Sequence, residues 1–360
     1  MRICEKNSRA DGRTIKQPAP LAVYSMKPIV MRVCRIQIIY LLATVLVAAI
    51  SGCRKADPPP APGGTPLQVV TASRPLMDFP NGIYRGRRGG LYEGSNQRPA
   101  AHNSAGVAIA QSIRPLNAAG AADDNNGAIV WLSIGMSNTT METQAFLPLA
   151  QNLSNRHPRL VLVDGAAGGQ DINAINNPSA PYWNTVTTRL TNAGLSPQQV
   201  QIIWFKEAEA GPRDTAFATY PDALKIKFRS VMQILKNRFP NLKLVYLSDR
   251  IYAGYATTGL NPEPYSWYTG WAVKRLIADQ IAGDPALTYS GTGPATAWLS
   301  WGPSLWAKGD SARSDGLVWL PGDFQSDGTH PSLNGRQKVA QLLLQFFTTD
   351  ETARPWFLRP

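Results

Sequence analysis

The sequence predicts an α/β protein, a doubly wound parallel sheet covered by helices on both faces. From Ala128 onward, short apolar runs alternate with longer stretches that carry a helical apolar period, the pattern such a sheet requires. Runs and stretches interleave one for one, with no internal repeat. Small and ionisable residues gather just after the runs, at the expected carboxyl ends of strands, where open α/β sheets bind ligands.

Taken in order, the first strand is expected at Ile129–Ile134, followed by an amphipathic stretch over Met141–Leu153. The second, Leu160–Val163, leads to a helix over Tyr182–Ala193. The third, Val200–Phe205, precedes Asp222–Phe239, and the fourth, Leu242–Leu247, precedes Trp267–Ile281. A fifth strand is expected at Leu317–Leu320, before a helix over Ser332–Phe347 that Ser332 would cap. Residues 128–350 then form one domain of ordinary size, with 351–360 as a tail. Residues 67–127, rich in Gly, Asn, Ala and Arg and weakly periodic, are expected as loops and short elements draped over it.

Two stretches carry chemistry. Gly135-Met-Ser-Asn138 follows the first strand, and Asp327-Gly-Thr-His330 stands just before the last helix. A serine hydroxyl is a weak nucleophile near neutrality, so acyl-transfer enzymes set an imidazole beside it and orient that imidazole with a carboxylate. Ser137, His330 and Asp327 offer those three parts. Of the histidines His102, His157 and His330, only the last stands three residues after an aspartate. Each residue also has a plainer role. Asn138 reads as a helix cap, Asp327-Gly328 as a tight turn, and Gly168 and Gly169 as positive-φ positions. Asp249, after the fourth strand, is a reserve partner for His330, or simply pairs or turns with Arg250.

This order of blocks resembles the SGNH (GDSL-like) hydrolase superfamily over about residues 128–350. The resemblance implies a flavodoxin-like three-layer α/β/α sandwich with a five-stranded parallel sheet. It also implies a nucleophilic serine after the first strand, an oxyanion-hole glycine after the second, an asparagine after the third and D-x-x-H near the C-terminus. Ser137, Gly168, Asp327 and His330 sit in the matching places, which makes the Ser137 and Gly168 N–H groups oxyanion donors. The G-x-S-N form, with G-G-x-x-I at Gly168–Ile172, looks closest to the carbohydrate-acetylesterase branch that includes sialate O-acetylesterases.

The resemblance breaks at the third block, where Trp204-Phe-Lys-Glu207-Ala-Glu209 contains no asparagine. Lys206 could donate instead, Glu207 or Glu209 could be held protonated in a buried site, or the third donor is absent. Losing one donor costs roughly 3 kcal/mol of transition-state stabilisation. Aromatic residues crowd the C-terminal half, and Tyr252 and Tyr255, following the fourth strand, are the expected substrate contacts.

The N-terminus points to export. Ile36–Ile50 is apolar, follows Arg32 and Arg35, and is too short for a membrane span, as a signal-peptide core is. Ile50-Ser-Gly-Cys53 resembles a bacterial lipobox, making Cys53 the expected lipidated residue and residues 1–52 the extension and signal. Met26 and Met31 offer alternative starts. Arg54, where an inner-membrane protein often carries aspartate, points to the outer membrane of a cell envelope. Residues 53–66, with Asp57-Pro-Pro-Pro-Ala-Pro-Gly-Gly, have the composition of an extended tether.

The formal charge of +12 overstates the basic character of the working domain. Eight Lys/Arg and two Asp/Glu precede Cys53, leaving 28 against 22, a net +6 that is scattered singly apart from Arg85-Gly-Arg87-Arg88. No nucleic-acid partner is expected. Cys53 would be the sole cysteine of the mature chain, so no disulfide or thiolate metal site is available. With no H-E-x-x-H and no phosphate-binding loop, no cofactor or metal is expected. The expectation is an exported, lipid-anchored serine esterase that removes an acyl group, acetyl foremost, from a carbohydrate. A lipid or aryl esterase and a catalytically weak glycan-binding envelope lipoprotein are the alternatives.

Overall fold

The computed structural model describes residues 67–359. The signal segment, Cys53 and the tether lie outside the described residues. Five parallel strands form the main sheet: β4 (Ile129–Gly135), β5 (Leu160–Asp164), β6 (Val200–Lys206), β7 (Leu244–Leu247) and β8 (Trp298–Trp301), in the order β5-β4-β6-β7-β8. In chain order that is 2-1-3-4-5, the flavodoxin-like doubly wound arrangement. The order reverses at β4, so the crevice lies beyond its carboxyl end, where Ser137 stands.

Each face of the sheet is dry. Val130, Leu132 and Ile134 point to one core, shared with α4 (Pro181–Asn192), α5 (Tyr220–Arg238) and α6 (Tyr265–Ile281). Ile129 and Trp131 point to the other, shared with α1 (Ala100–Gln111), α2 (Ser137–Gln151), α7 (Leu333–Thr349) and α8 (Arg354–Phe357). The alternation of a strand sends neighbours to opposite faces, and here both faces are covered, hence apolar runs with no polar side. A short helix, α3 (Ile172–Ile175), follows β5. No described helix is long and apolar enough to cross a membrane.

The fifth strand is not Leu317–Leu320. It is Trp298–Trp301, fully buried, whereas Leu317–Leu320 runs as irregular chain with Leu320 45% exposed and Pro321 ending it. Trp298–Trp301 is interrupted by Ser300 while Leu317–Leu320 is apolar throughout, so local pattern favours the wrong segment. What decides is the partner: Leu244–Leu247 pairs in register with Trp298–Trp301, while Trp319 turns inward alone and its Nε1 donates to Leu305 O at 2.8 Å.

Residues 67–127 are more ordered than a draped loop. They carry a small sheet of β1 (Gln68–Val70), β2 (Gly82–Tyr84) and β3 (Arg87–Arg88), and the three-turn helix α1, which composition did not signal. Their function in the fold is to cover β8. An edge strand exposes a row of unpaired backbone groups and is a liability unless covered. His102 Nε2 meets Leu299 O at 2.8 Å and its ring stacks on Trp298, while Tyr92 and Arg98 both bond the Ser300 hydroxyl. Gly106 is there because any Cβ would fall 2.3 Å from the Trp298 ring. At the other end of the chain, Trp356 and Phe357 of α8 are fully buried, so residues 351–359 close the core rather than trail from it.

Candidate active site

Four loops meet at the carboxyl edge of the sheet, and backbone bonds tie them together. Ala167 N–H donates to Gly135 O at 2.9 Å, joining the loop after β5 to the end of β4. Ile172 N–H donates to Ala208 O at 3.0 Å, and Ala210 N–H to the Asp171 carboxylate at 2.8 Å, joining it to the loop after β6. Gly211 N–H donates to Leu260 O and Thr257 N–H to Asp327 O, carrying the chain of contacts through the loop after β7 to the turn before α7.

Ser137 is the first residue of α2, so its N–H is one of the four that a helix leaves unpaired at its start. Gly135 allows the tight passage from β4 to α2: a Cβ there would lie 2.3 Å from both Lys206 O and Thr139 Oγ1. Ser137 Oγ lies 2.8 Å from His330 Nε2, and His330 Nδ1 lies 2.5 Å from Asp327 Oδ2. The other Asp327 oxygen accepts from the N–H groups of Thr329 and His330, each at 2.9 Å. Gly328, at φ +64°, makes the turn that folds the carboxylate back onto its own backbone, and its neighbour Ser332 caps α7. Burial raises the Asp327 pKa, but the hydrogen bonds from the His330 side chain and from the two N–H groups outweigh it. The carboxyl is thereby held below its usual range.

Asn138 does not cap α2. Its Nδ2 donates to Thr329 O at 3.0 Å, pinning the nucleophile's helix to the turn that carries His330 and Asp327. Gly168 lies beside the nucleophile: a Cβ built on it would be 3.9 Å from Ser137 Cβ, and its N–H makes no backbone hydrogen bond. The positive φ belongs to Gly169, at +74°. Two N–H groups, of Ser137 and Gly168, therefore stand free next to the serine hydroxyl.

Three sequence-stated candidates fall elsewhere. Lys206 is fully buried on the α2 face of β6, and its Nζ donates to both oxygens of Glu142 at 2.7 and 2.6 Å, so it is not an oxyanion donor. Burial pushes Lys206 down to about 8 and raises Glu142, while their mutual attraction opposes both shifts. A value above neutrality leaves Lys206 charged at pH 7. Glu209 is taken by Lys227 at 2.7 Å and Asn173 at 3.1 Å and accepts from both. Asp249 neither orients His330 nor pairs with Arg250; it accepts from Leu305 N–H at 2.5 Å and Ser304 Oγ at 3.2 Å.

Tyr252 and Tyr255 pack edge to face, 5.2 Å apart, and the Tyr255 hydroxyl donates to Trp319 O. Tyr255 lies directly against the catalytic turn, since a Cβ on Gly328 would be 1.9 Å from Tyr255 O. Both rings are half-buried. A cavity of about 660 Å³ lies away from this site, between the 77–103 segment, the end of β8 and α7.

The sequence matches no protein-family model and no curated protein. Among solved structures it is similar to a candidate SGNH hydrolase from Slackia heliotrinireducens, with 18% identity over 61% of this chain and 99% of that one, TM-score 0.35. It is also similar to a carbohydrate esterase of family 3 from Talaromyces cellulolyticus, with 15% identity over 60% and 94% of the two chains, TM-score 0.33. A GDSL-like lipase from Bacteroides thetaiotaomicron has 12% identity over 60% and 86%, TM-score 0.34. These likenesses are distant, and the functional reading rests on the geometry of Ser137, His330 and Asp327.

Proposed function

We propose that this protein is a serine ester hydrolase that removes a small acyl group, acetyl foremost, from a carbohydrate. One observation carries the reading: Ser137 Oγ, both imidazole nitrogens of His330 and a carboxylate oxygen of Asp327 stand in line at 2.8 and 2.5 Å. Ser137 Oγ bonds to the ester carbonyl carbon as His330 Nε2 takes its proton, and the carbonyl π pair moves onto oxygen. Asp327 holds the Nδ1–H tautomer and balances the imidazolium that forms. The Ser137 and Gly168 N–H groups receive the negative oxygen. His330 then protonates the departing alcohol as the C–O bond breaks, and afterwards activates the water that releases the acid.

The Tyr255 backbone lies against the Gly328 turn that carries His330, and the half-buried rings of Tyr252 and Tyr255 support a carbohydrate substrate, since flat aromatic faces suit sugar rings. Hydrolysis of a panel of O-acetylated sugars, run beside butyryl and octanoyl esters of 4-nitrophenol, tests this. Faster turnover of the acetyl sugars is expected, and preference for octanoate would replace this reading with that of a lipid esterase. Saturable glycan binding with no turnover and no dependence on Ser137 would favour the binding-protein alternative.

Asp327→Asn is expected to lower kcat about 10⁴-fold at neutral pH by releasing the imidazole tautomer. Because the folded Asp327 pKa is depressed, its contribution to stability is complete above the unfolded value near 4 and is lost as pH falls through the lower folded value. Chemical denaturation should therefore show wild type more stable than Asp327→Asn at pH 7, with the gap closing toward pH 2. A gap that is constant with pH would remove the carboxylate from this role.

The lipobox-like segment supports a lipid anchor at Cys53 that places the domain at the envelope. Cys53→Ser is expected to abolish fatty-acid labelling and release the protein from membranes; unchanged labelling would exclude that anchor.

A further inference from the structure

The loop after β6 carries no asparagine, and the loop after β7 holds a candidate for the donor it would have supplied. Arg250 is 1% exposed, yet its Nε–H is buried with no partner, and neither terminal amino group makes a hydrogen bond or ion pair among the described residues. An interior arginine is ordinarily saturated by carboxylates and carbonyls, because leaving a buried charge unpaired costs several kcal/mol. Here the groups around it are otherwise engaged. The oxygens of Glu142 hold Lys206, and those of Glu263 accept from Trp306, Ala253 and Trp267. Glu207 and Tyr220 are the exceptions, with both Glu207 oxygens and the Tyr220 hydroxyl buried and unpartnered. Burial pushes the Glu207 carboxyl well up, with Arg250 the foremost charge opposing that shift.

Strand register places Arg250 relative to the nucleophile. Gly135 pairs with Lys206, Phe205 pairs with Leu247, and Ser248 N–H donates to Phe205 O. Gly135, Lys206 and Ser248 thus form one row across the sheet. Ser137 and Arg250 each stand two residues beyond that row, two strand spacings apart, roughly 10 Å between backbones. An extended arginine side chain spans most of that gap. Glu142, on the same helix as Ser137, is the foremost charge favouring the protonated guanidinium, followed by Glu207, Tyr220 and Glu263.

We propose that Arg250 is the third oxyanion donor, its guanidinium bonding the ester carbonyl oxygen as that oxygen gains negative charge beside the Ser137 and Gly168 N–H groups. This rests on the esterase reading. A fixed cation with an unused N–H group needs no reorganisation when charge develops on the oxygen. Arginine also holds its proton more firmly than lysine does when buried.

The test is steady-state hydrolysis of 4-nitrophenyl acetate by the wild type, Arg250→Met, Arg250→Lys and Arg250→Ala, with thermal unfolding of each and added guanidinium for the alanine variant. Arg250→Met is expected to lower kcat about 10²- to 10³-fold with KM nearly unchanged. Arg250→Lys should keep part of the activity, and millimolar guanidinium should restore part of it to Arg250→Ala. A folded Arg250→Met enzyme with wild-type kcat, a loss confined to KM, or a kcat loss that tracks melting temperature without guanidinium rescue would overturn the proposal and leave the esterase reading standing. A wild type that turns over no ester and whose Ser137 resists a fluorophosphonate would overturn the esterase reading, and this inference with it.

Discussion

Ser137→Ala is expected to abolish labelling by a fluorophosphonate and to lower kcat about 10⁴- to 10⁶-fold, leaving the folded state intact. His330→Ala should do nearly the same, and the double variant should be no worse than either. The two residues act as one unit: without the imidazole the hydroxyl keeps its proton, and without the hydroxyl the imidazole has nothing to activate. The 2.8 Å contact between them makes this a sharp test. Labelling that persists in His330→Ala would mean that some other group activates the serine. If the two losses multiply, Ser137 and His330 act in separate steps and the triad reading fails.

Lys206→Met is expected to destabilise the protein by about 3–5 kcal/mol, because it strands the Glu142 carboxylate in the core. Glu142→Leu should cost a similar amount by stranding the ammonium. The double variant should recover most of the loss, since a buried ion pair replaced by apolar residues of similar volume is often neutral. Urea unfolding of the four proteins closes the cycle. The pair has zero exposure on both sides, and Lys206 O also accepts from Thr139, two residues beyond the nucleophile, so it clamps α2 to β6. If the double variant regains stability but not kcat, the clamp also sets the position of Ser137. Simple additivity of the two losses would show that the charges do not stabilise one another.

Much of this protein is legible along the chain because its information is local. The strands β4 to β7 and helices α2 and α4 to α7 announce themselves by continuous apolar runs and helical periods. Asp327 and His330 are legible as a pair because three residues separate them and a glycine lets the turn close. The elements that were not legible depend on partners remote in sequence. Leu317–Leu320 is the more apolar run, since Ser300 interrupts Trp298–Trp301, and only the register with Leu244–Leu247 selects the latter. α1 lacks an amphipathic face because it lies between the edge strand and the C-terminal helix, where Gly106 and His102 matter more than periodicity.

The site divides along the same line. Sequence by itself determined which residues exist to do chemistry: one serine after the first strand, one histidine with an aspartate at reach, glycines after the second strand, and no asparagine after the third. Tertiary structure alone decided who faces whom. Lys206 looks like a spare cation in the sequence, but strand alternation turns it toward α2, where Glu142 consumes it. Asn138 looks like a cap and instead holds the catalytic turn. Arg250, ordinary in the sequence, becomes conspicuous because folding buries it with its Nε–H unpartnered among the described residues. Spacing and side-chain chemistry are properties of the chain; burial and pairing arise only when segments 100 or more residues apart are brought together, as Ser137 and His330 are here, 193 residues apart.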